Sequence, residues 1–137
     1  MITTPVLMNN SPIENISTIV LVEDEEQQRE VLTMLLEVEG YKVRSASSAE
    51  EALKELDGLD FQLFISDVKL TGIDGFAFFS EVRKKPRFQN IPFIFISAYN
   101  DKNVIETVKK HNLVDYVTKP YNLEDFIAVV KKYLPSV

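Results

Sequence analysis

Short apolar runs alternate with amphipathic stretches five times along this chain, and that alternation constrains the fold more than any other feature. Thr18-Ile-Val-Leu-Val22 is β-branched and continuously apolar, as a strand covered on both faces should be. Asp24 to Glu39 predicts a helix with Val31, Leu32, Leu35, Leu36 and Val38 on its apolar side and Gly40 as its stop. Tyr41 to Ala46 alternates like a half-covered strand. Ser48-Ala-Glu-Glu51 reads as a capping box for a helix carrying Ala49, Ala52, Leu53 and Leu56, ended by Gly58. Phe61 to Ser66 predicts a third strand, followed by a loop with Gly72 and Gly75. A helix from about Phe76 to Lys85 is then stopped by Pro86. Ile91 to Ser97 is the fourth and most apolar strand, Asp101 to about His111 a short, weak helix, and Val114 to Thr118 the fifth strand. Asn122 caps a last helix carrying Phe126, Ile127, Val130 and Leu134. Strict β-α alternation with buried strands implies an α/β fold, a parallel sheet with helices on both faces.

At 137 residues the chain suits one domain with a real core. Residues 1–16 are rich in Pro, Asn and Ser, and read as a flexible leader ahead of a domain over 17–137. There is no Cys, which excludes a disulfide scaffold, a thiolate zinc site and thiol catalysis. His111 is the only His, so a multi-His metal site is excluded too; beside Lys109 and Lys110 it reads as a surface residue. The apolar runs fall far short of the ~20 residues of a membrane span, and the N-terminus resembles neither a signal nor a transit peptide, so the cytoplasm is the default location. Fifteen basic residues against 21 acids give a net charge of −6, which argues against a nucleic-acid surface built on bulk positive charge.

In open parallel sheets a ligand sits beyond the carboxyl ends of the strands. Glu23 and Asp24 follow the first strand, Asp67 the third, Ser97-Ala98 ends the fourth, and Lys119-Pro120 ends the fifth. Taken singly each has a plain structural role: acids at a helix N-terminus, a loop acid, a capping hydroxyl, a solvated lysine. As a set they do not. Carboxylates gathered at one rim repel unless a cation joins them. Oxygen-only donors suit Mg²⁺, which keeps waters and takes phosphate as a co-ligand. Lys119 then offers a point charge, and Ser97 a neutral hydrogen bond, to phosphoryl oxygens.

VLVEDE (20–25), ISDVKLTGIDG (65–75), FISA (95–98) and YVTKP (116–120) resemble the receiver domain of two-component response regulators, over about residues 17–135. The resemblance implies a flavodoxin-like, doubly wound (βα)5 fold with strand order 2-1-3-4-5. It implies that Asp67 is the phosphoacceptor, and that Glu23, Asp24, Asp67 and the Lys69 carbonyl hold Mg²⁺, with Mn²⁺ as a substitute. Lys119 would bind the phosphoryl group, Pro120 would follow a cis peptide bond, Ser97 would be the switch hydroxyl, and Tyr116 the aromatic that responds to it. By the resemblance, Lys69 and Tyr99 stand at the two variable positions that tune dephosphorylation in the family; a long cation and a bulky ring there predict a slowly lost phosphoryl group. Thr71 replaces a frequent Pro, which predicts a less stiff loop.

By the same resemblance the chain is not an enzyme beyond its own phosphorylation and dephosphorylation. It would take its phosphoryl group from a sensor histidine kinase or phosphotransfer protein. The helix-4, strand-5, helix-5 face would then change for a downstream protein, a fused output domain or a second copy, with no direct nucleic-acid or membrane contact. That end of the chain is the less acidic: residues 101–137 hold 6 Lys and 5 acids, residues 1–100 hold 9 basic residues and 16 acids. The sequence leaves open a module cut from a larger regulator or hybrid kinase, and a phosphorylation-independent pseudo-receiver adaptor. An Asp-nucleophile phosphatase would need a DxD pattern after the first strand, where Glu23-Asp24-Glu25 stands. A flavin or nucleotide module would need a Gly-rich phosphate loop there, and Glu23 and Asp24 would repel that phosphate.

Overall fold

The computed structural model describes residues 16–135; the expected leader, Ile16 apart, lies outside the described residues. The strands are β1 (Thr18–Val22), β2 (Lys42–Ala46), β3 (Leu63–Asp67), β4 (Phe93–Ala98) and β5 (Val114–Lys119). The helices are α1 (Glu26–Val38), α2 (Ala49–Glu55), α3 (Gly75–Arg83), α4 (Lys102–Lys110) and α5 (Leu123–Tyr133). Short 3-10 turns follow α2 at Leu56–Gly58 and α3 at Pro86–Phe88. All four strand pairings are parallel and the order is β2-β1-β3-β4-β5, the flavodoxin-like arrangement. The order reverses between β1 and β3, so the crevice at their carboxyl ends is the place for a ligand.

Period-2 alternation splits the strand side chains between two core layers. Ile19, Leu21, Leu63, Ile65, Ile94, Ile96 and Val117 face α1 and α5, where Leu32, Leu36, Phe126 and Val130 complete the layer. Val20, Val22, Phe64, Phe93 and Phe95 face α2, α3 and α4, meeting Ala49, Ala52, Phe78, Phe79, Val82 and Val104. That second layer is aromatic: Phe93 lies 4.7 Å from Phe95, 5.1 Å from Phe79 and 5.4 Å from Phe64, ring centre to ring centre. Rings at these separations add to the area they bury. The Phe76–Phe79 cluster is therefore core, and exposed His111 meets Phe79 with the two rings steeply inclined, 5.2 Å between centres.

Local signals hold with small shifts. Ser48 Oγ accepts from the Glu51 N–H at 3.0 Å, but the Glu51 carboxylate takes the Ser47 hydroxyl at 3.1 Å, so the box is not reciprocal. Asp101 accepts from Asn103 and Val104, giving α4 the N-terminal cap that its short length needs. On α1 only Leu32 and Leu36 are fully buried; Val31 and Val38 are 52% and 77% exposed. At 100° per residue, Val38 lies ~200° past Leu36 and faces away from the sheet. Among the described residues no helix is long and apolar enough to cross a membrane.

Candidate functional site

Parallel pairing puts the carboxyl ends of β1, β3, β4 and β5 side by side. Asp67 is itself the last residue of β3 and is only 5% exposed. Its Oδ2 accepts from Lys119 Nζ at 2.7 Å, and its Oδ1 from the Lys69 N–H at 3.2 Å. Lys119 ends β5, and the Lys119–Pro120 peptide bond is cis. Gly75 makes room for this corner: its N–H donates to the Val68 carbonyl at 2.8 Å, and a Cβ there would lie on the Asp67 carbonyl oxygen.

Glu23 directly follows β1 and is 2% exposed. Burial pushes its carboxyl up from an ordinary 4.5 to about 7; the Glu25 N–H opposes the rise and the charge of Asp67 adds to it. Asp24 is exposed, and its Oδ2 accepts from both the Thr71 N–H and Thr71 Oγ1 at 3.0 Å. Burial alone would raise Asp24, but those two bonds, joined by a side-chain hydrogen bond with Glu23, outweigh it and hold the carboxyl below its ordinary value. Lys119 is likewise pushed down by burial, and the hydrogen bond and charge of Asp67, with Glu23 behind, more than restore it. Thr71 thus ties the loop after β3 to Asp24, where the missing proline predicted slack.

Ser97 lies within β4 and is 2% exposed, and its Oγ has no hydrogen-bond partner among the described residues. Tyr116 lies within β5, opposite Phe95 in register, half-buried against the aromatic layer. A cleft of about 660 Å³ opens over Asp67 and Lys119; Lys69 and Tyr99 line it, with Gln28, Val31, Ala98, Pro120, Tyr121 and Leu123. The Tyr99 ring is mostly in solvent, and Asn100 beside it adopts φ 61°, a left-handed turn that Asn tolerates. Tyr116 is not in the cleft lining.

Among the described residues no three Asp, Glu or His side chains close on one point as a ready-made cage for a metal. These carboxylates have protein partners instead: Asp67 meets Lys119 and the Lys69 N–H, and Asp24 meets Thr71 through Oδ2. The donor set still fits a hard cation that keeps its waters, since such a site takes one or two carboxylates and phosphate oxygens rather than an all-protein cage. The buried Glu23, raised by desolvation and by Asp67, is the group whose charge a divalent cation would compensate.

Sequence inspection alone missed three contributors. Thr71 was visible as a departure from Pro, but its two bonds to a residue 47 positions away were not. Glu50, whose Oε2 accepts from the Ile73 N–H at 3.2 Å, carries no local signal. Tyr121 lines the cleft and its Oη reaches Gln28 Oε1 at 3.5 Å.

The sequence profile of the response regulator receiver domain matches residues 19–131. An uncharacterised 14.6 kDa protein of Leptolyngbya boryana is 33% identical over 84% of this chain and 88% of its own length. The transcriptional regulatory protein CssR of Bacillus subtilis is 35% identical over 88% of this chain; the chain spans about half, 52%, of CssR. Relatives also include sensor kinases. The crystal structure of the response regulator protein TrrA of Thermotoga maritima, in complex with Mg²⁺-BeF, superposes with a TM-score of 0.75 at 32% identity, covering 87% of this chain and all of that one. With the profile spanning nearly the whole described fold and the strand order in agreement, the chain belongs to the receiver-domain family of two-component response regulators.

Proposed function

We propose that Asp67 accepts a phosphoryl group from the phosphohistidine of a sensor histidine kinase or phosphotransfer protein, and that this biases the α4-β5-α5 face toward a downstream partner. One observation carries the proposal: the Asp67 carboxylate, held between Lys119 and the Lys69 amide, lies at the floor of an open cleft. A carboxylate oxygen of Asp67 forms the new O–P bond as the N–P bond of the donor breaks; the imidazole leaves with the electron pair and takes up a proton. Positioning and charge neutralisation dominate such a step. Lys119 places its ammonium against the oxygens that gain charge. Mg²⁺, or Mn²⁺ in its place, held by Glu23, Asp24, Asp67 and the Lys69 carbonyl, would supply further neutralisation of those oxygens.

The product adds roughly one negative charge and new acceptor oxygens. Ser97 Oγ, buried without a partner, gains one by turning to a phosphoryl oxygen. Its movement frees space beside β4 for Tyr116, which biases a pre-existing equilibrium of the α4-β5-α5 face. A phosphorylated chain would present that face to a partner protein, a fused output domain or a second copy, in the cytoplasm. The protein's only chemistry would be gain and loss of its own phosphoryl group. Incubation with Mg²⁺ and acetyl phosphate, or with a phosphorylated kinase, should add 80 Da to the wild type and nothing to D67N. Equal incorporation in D67N would overturn the proposal, and no incorporation in the wild type would favour a pseudo-receiver.

A further inference from the structure

Asp24 is held from outside the crevice. Thr71 donates to Asp24 Oδ2 twice, from its N–H and from Oγ1, each at 3.0 Å. The loop carrying Thr71 is itself braced. Glu50 Oε2, from α2, accepts the Ile73 N–H at 3.2 Å. Gly72, at φ +85°, packs so closely on the Glu50 carboxylate that a Cβ there would collide with it. Asp74 caps α3 by accepting from the Ala77 N–H at 2.8 Å. Asp24, Lys69 and Thr71 line one surface concavity beside the main cleft. A proline at position 71 would supply neither an N–H nor a hydroxyl.

The geometry points to Thr71 as the positioning residue for Asp24: by occupying Oδ2 with two donors it fixes the carboxylate and leaves the other oxygen for a divalent cation. This rests on the Mg²⁺ site proposed above. Partners that orient a ligating carboxylate from behind are worth ~10–100-fold in metal affinity. T71V removes one donor and keeps the N–H, T71P removes both, and T71S keeps both.

Titration of the ¹⁵N-labelled full chain with MgCl₂ at constant ionic strength, followed by NMR, gives the Mg²⁺ dissociation constant of each variant, with thermal melts to confirm folding. T71V should bind ~10-fold more weakly and T71P more weakly still, while T71S matches the wild type. On a D24A background T71V should change nothing further, because the interaction it removes is already gone. A wild type that binds Mg²⁺ with T71V binding equally tightly overturns the inference and leaves the metal site standing. T71S as weak as T71V overturns the role of the hydroxyl. A wild type with no MgCl₂-dependent shifts overturns the metal site and the inference together.

Discussion

Lys119 Nζ lies 2.7 Å from Asp67 Oδ2, joining the last residue of β5 to the last residue of β3 across β4. The two ends differ in exposure: the Lys119 side chain is 44% accessible and that of Asp67 6%. Water screens the lysine, but removing it would leave the buried Asp67 carboxylate beside Glu23 without its cation. In the proposed phosphoryl transfer Lys119 would also act on the reaction, where charge builds on the oxygens beside it. K119A should therefore lower the melting temperature and slow phosphorylation of Asp67 by ~10²–10³-fold, the usual effect of losing one transition-state donor. Phospho-Asp67 accumulation from acetyl phosphate measures this; a wild-type rate in K119A would falsify it.

At the other end of the sheet, the Tyr41 hydroxyl donates to the Leu134 carbonyl and so pins the end of α5 beside the start of β2. Burial raises the phenol above its ordinary value of 10; Lys131 opposes the rise and Glu39 adds to it. A phenol whose folded-state pKa is raised contributes stability that is fully present below pH 10 and lost as pH climbs through the folded value. Y41F should cost about 1 kcal/mol at neutral pH, the worth of one hydrogen bond. It should also flatten the alkaline fall in stability. Urea melts from pH 8 to pH 11 check both, and parallel wild-type and Y41F curves would show the phenol to be uninvolved.

The fold was legible because its signals are local. Short runs rich in β-branched and aromatic residues, such as Thr18–Val22 and Phe93–Ile96, favour strands covered on both faces, and Asn122, Asp101 and Ser48 announce their helices through caps of two or three residues' reach. On α1 the helical period already sets Val38 ~200° past Leu36, but Val31 borders the apolar side and only the sheet decides how far that side is covered. The site separates in the same way. Its side chains follow from the rule that function gathers at strand ends, together with the family resemblance. The carboxylates' partners do not follow, since the bonds of Thr71 to Asp24 and of Glu50 to Ile73 span 47 and 23 positions and leave no periodic trace.

Lys69 and Tyr99 flank the mouth of the cleft over Asp67, one from the loop after β3 and one just beyond β4. An acyl phosphate on Asp67 would share this cleft with both side chains. On the proposed reading, a long cation and a large ring there hinder the approach of water, so the phosphoryl group should be slow to leave. Replacing them in the double variant K69N/Y99E should shorten the half-life of phospho-Asp67. The decay after removal of the phosphodonor reads it directly, and a half-life unchanged or longer than wild type contradicts the shielding.

The proposed switch makes opposite demands on Ser97 before and after phosphorylation. Its hydroxyl is buried and makes no hydrogen bond among the described residues, so in the unphosphorylated chain it costs stability rather than adding to it. A buried polar group without a partner costs ~1–3 kcal/mol. S97A should accordingly melt at the same temperature as the wild type or a few degrees higher before phosphorylation. After phosphorylation the order should reverse, because only the wild type gains the bond from Oγ to a phosphoryl oxygen. Paired thermal melts with and without acetyl phosphate, at fixed MgCl₂, measure both halves. An S97A chain stabilised by phosphorylation as much as the wild type would remove Ser97 from the switch and leave Tyr116 without its cause.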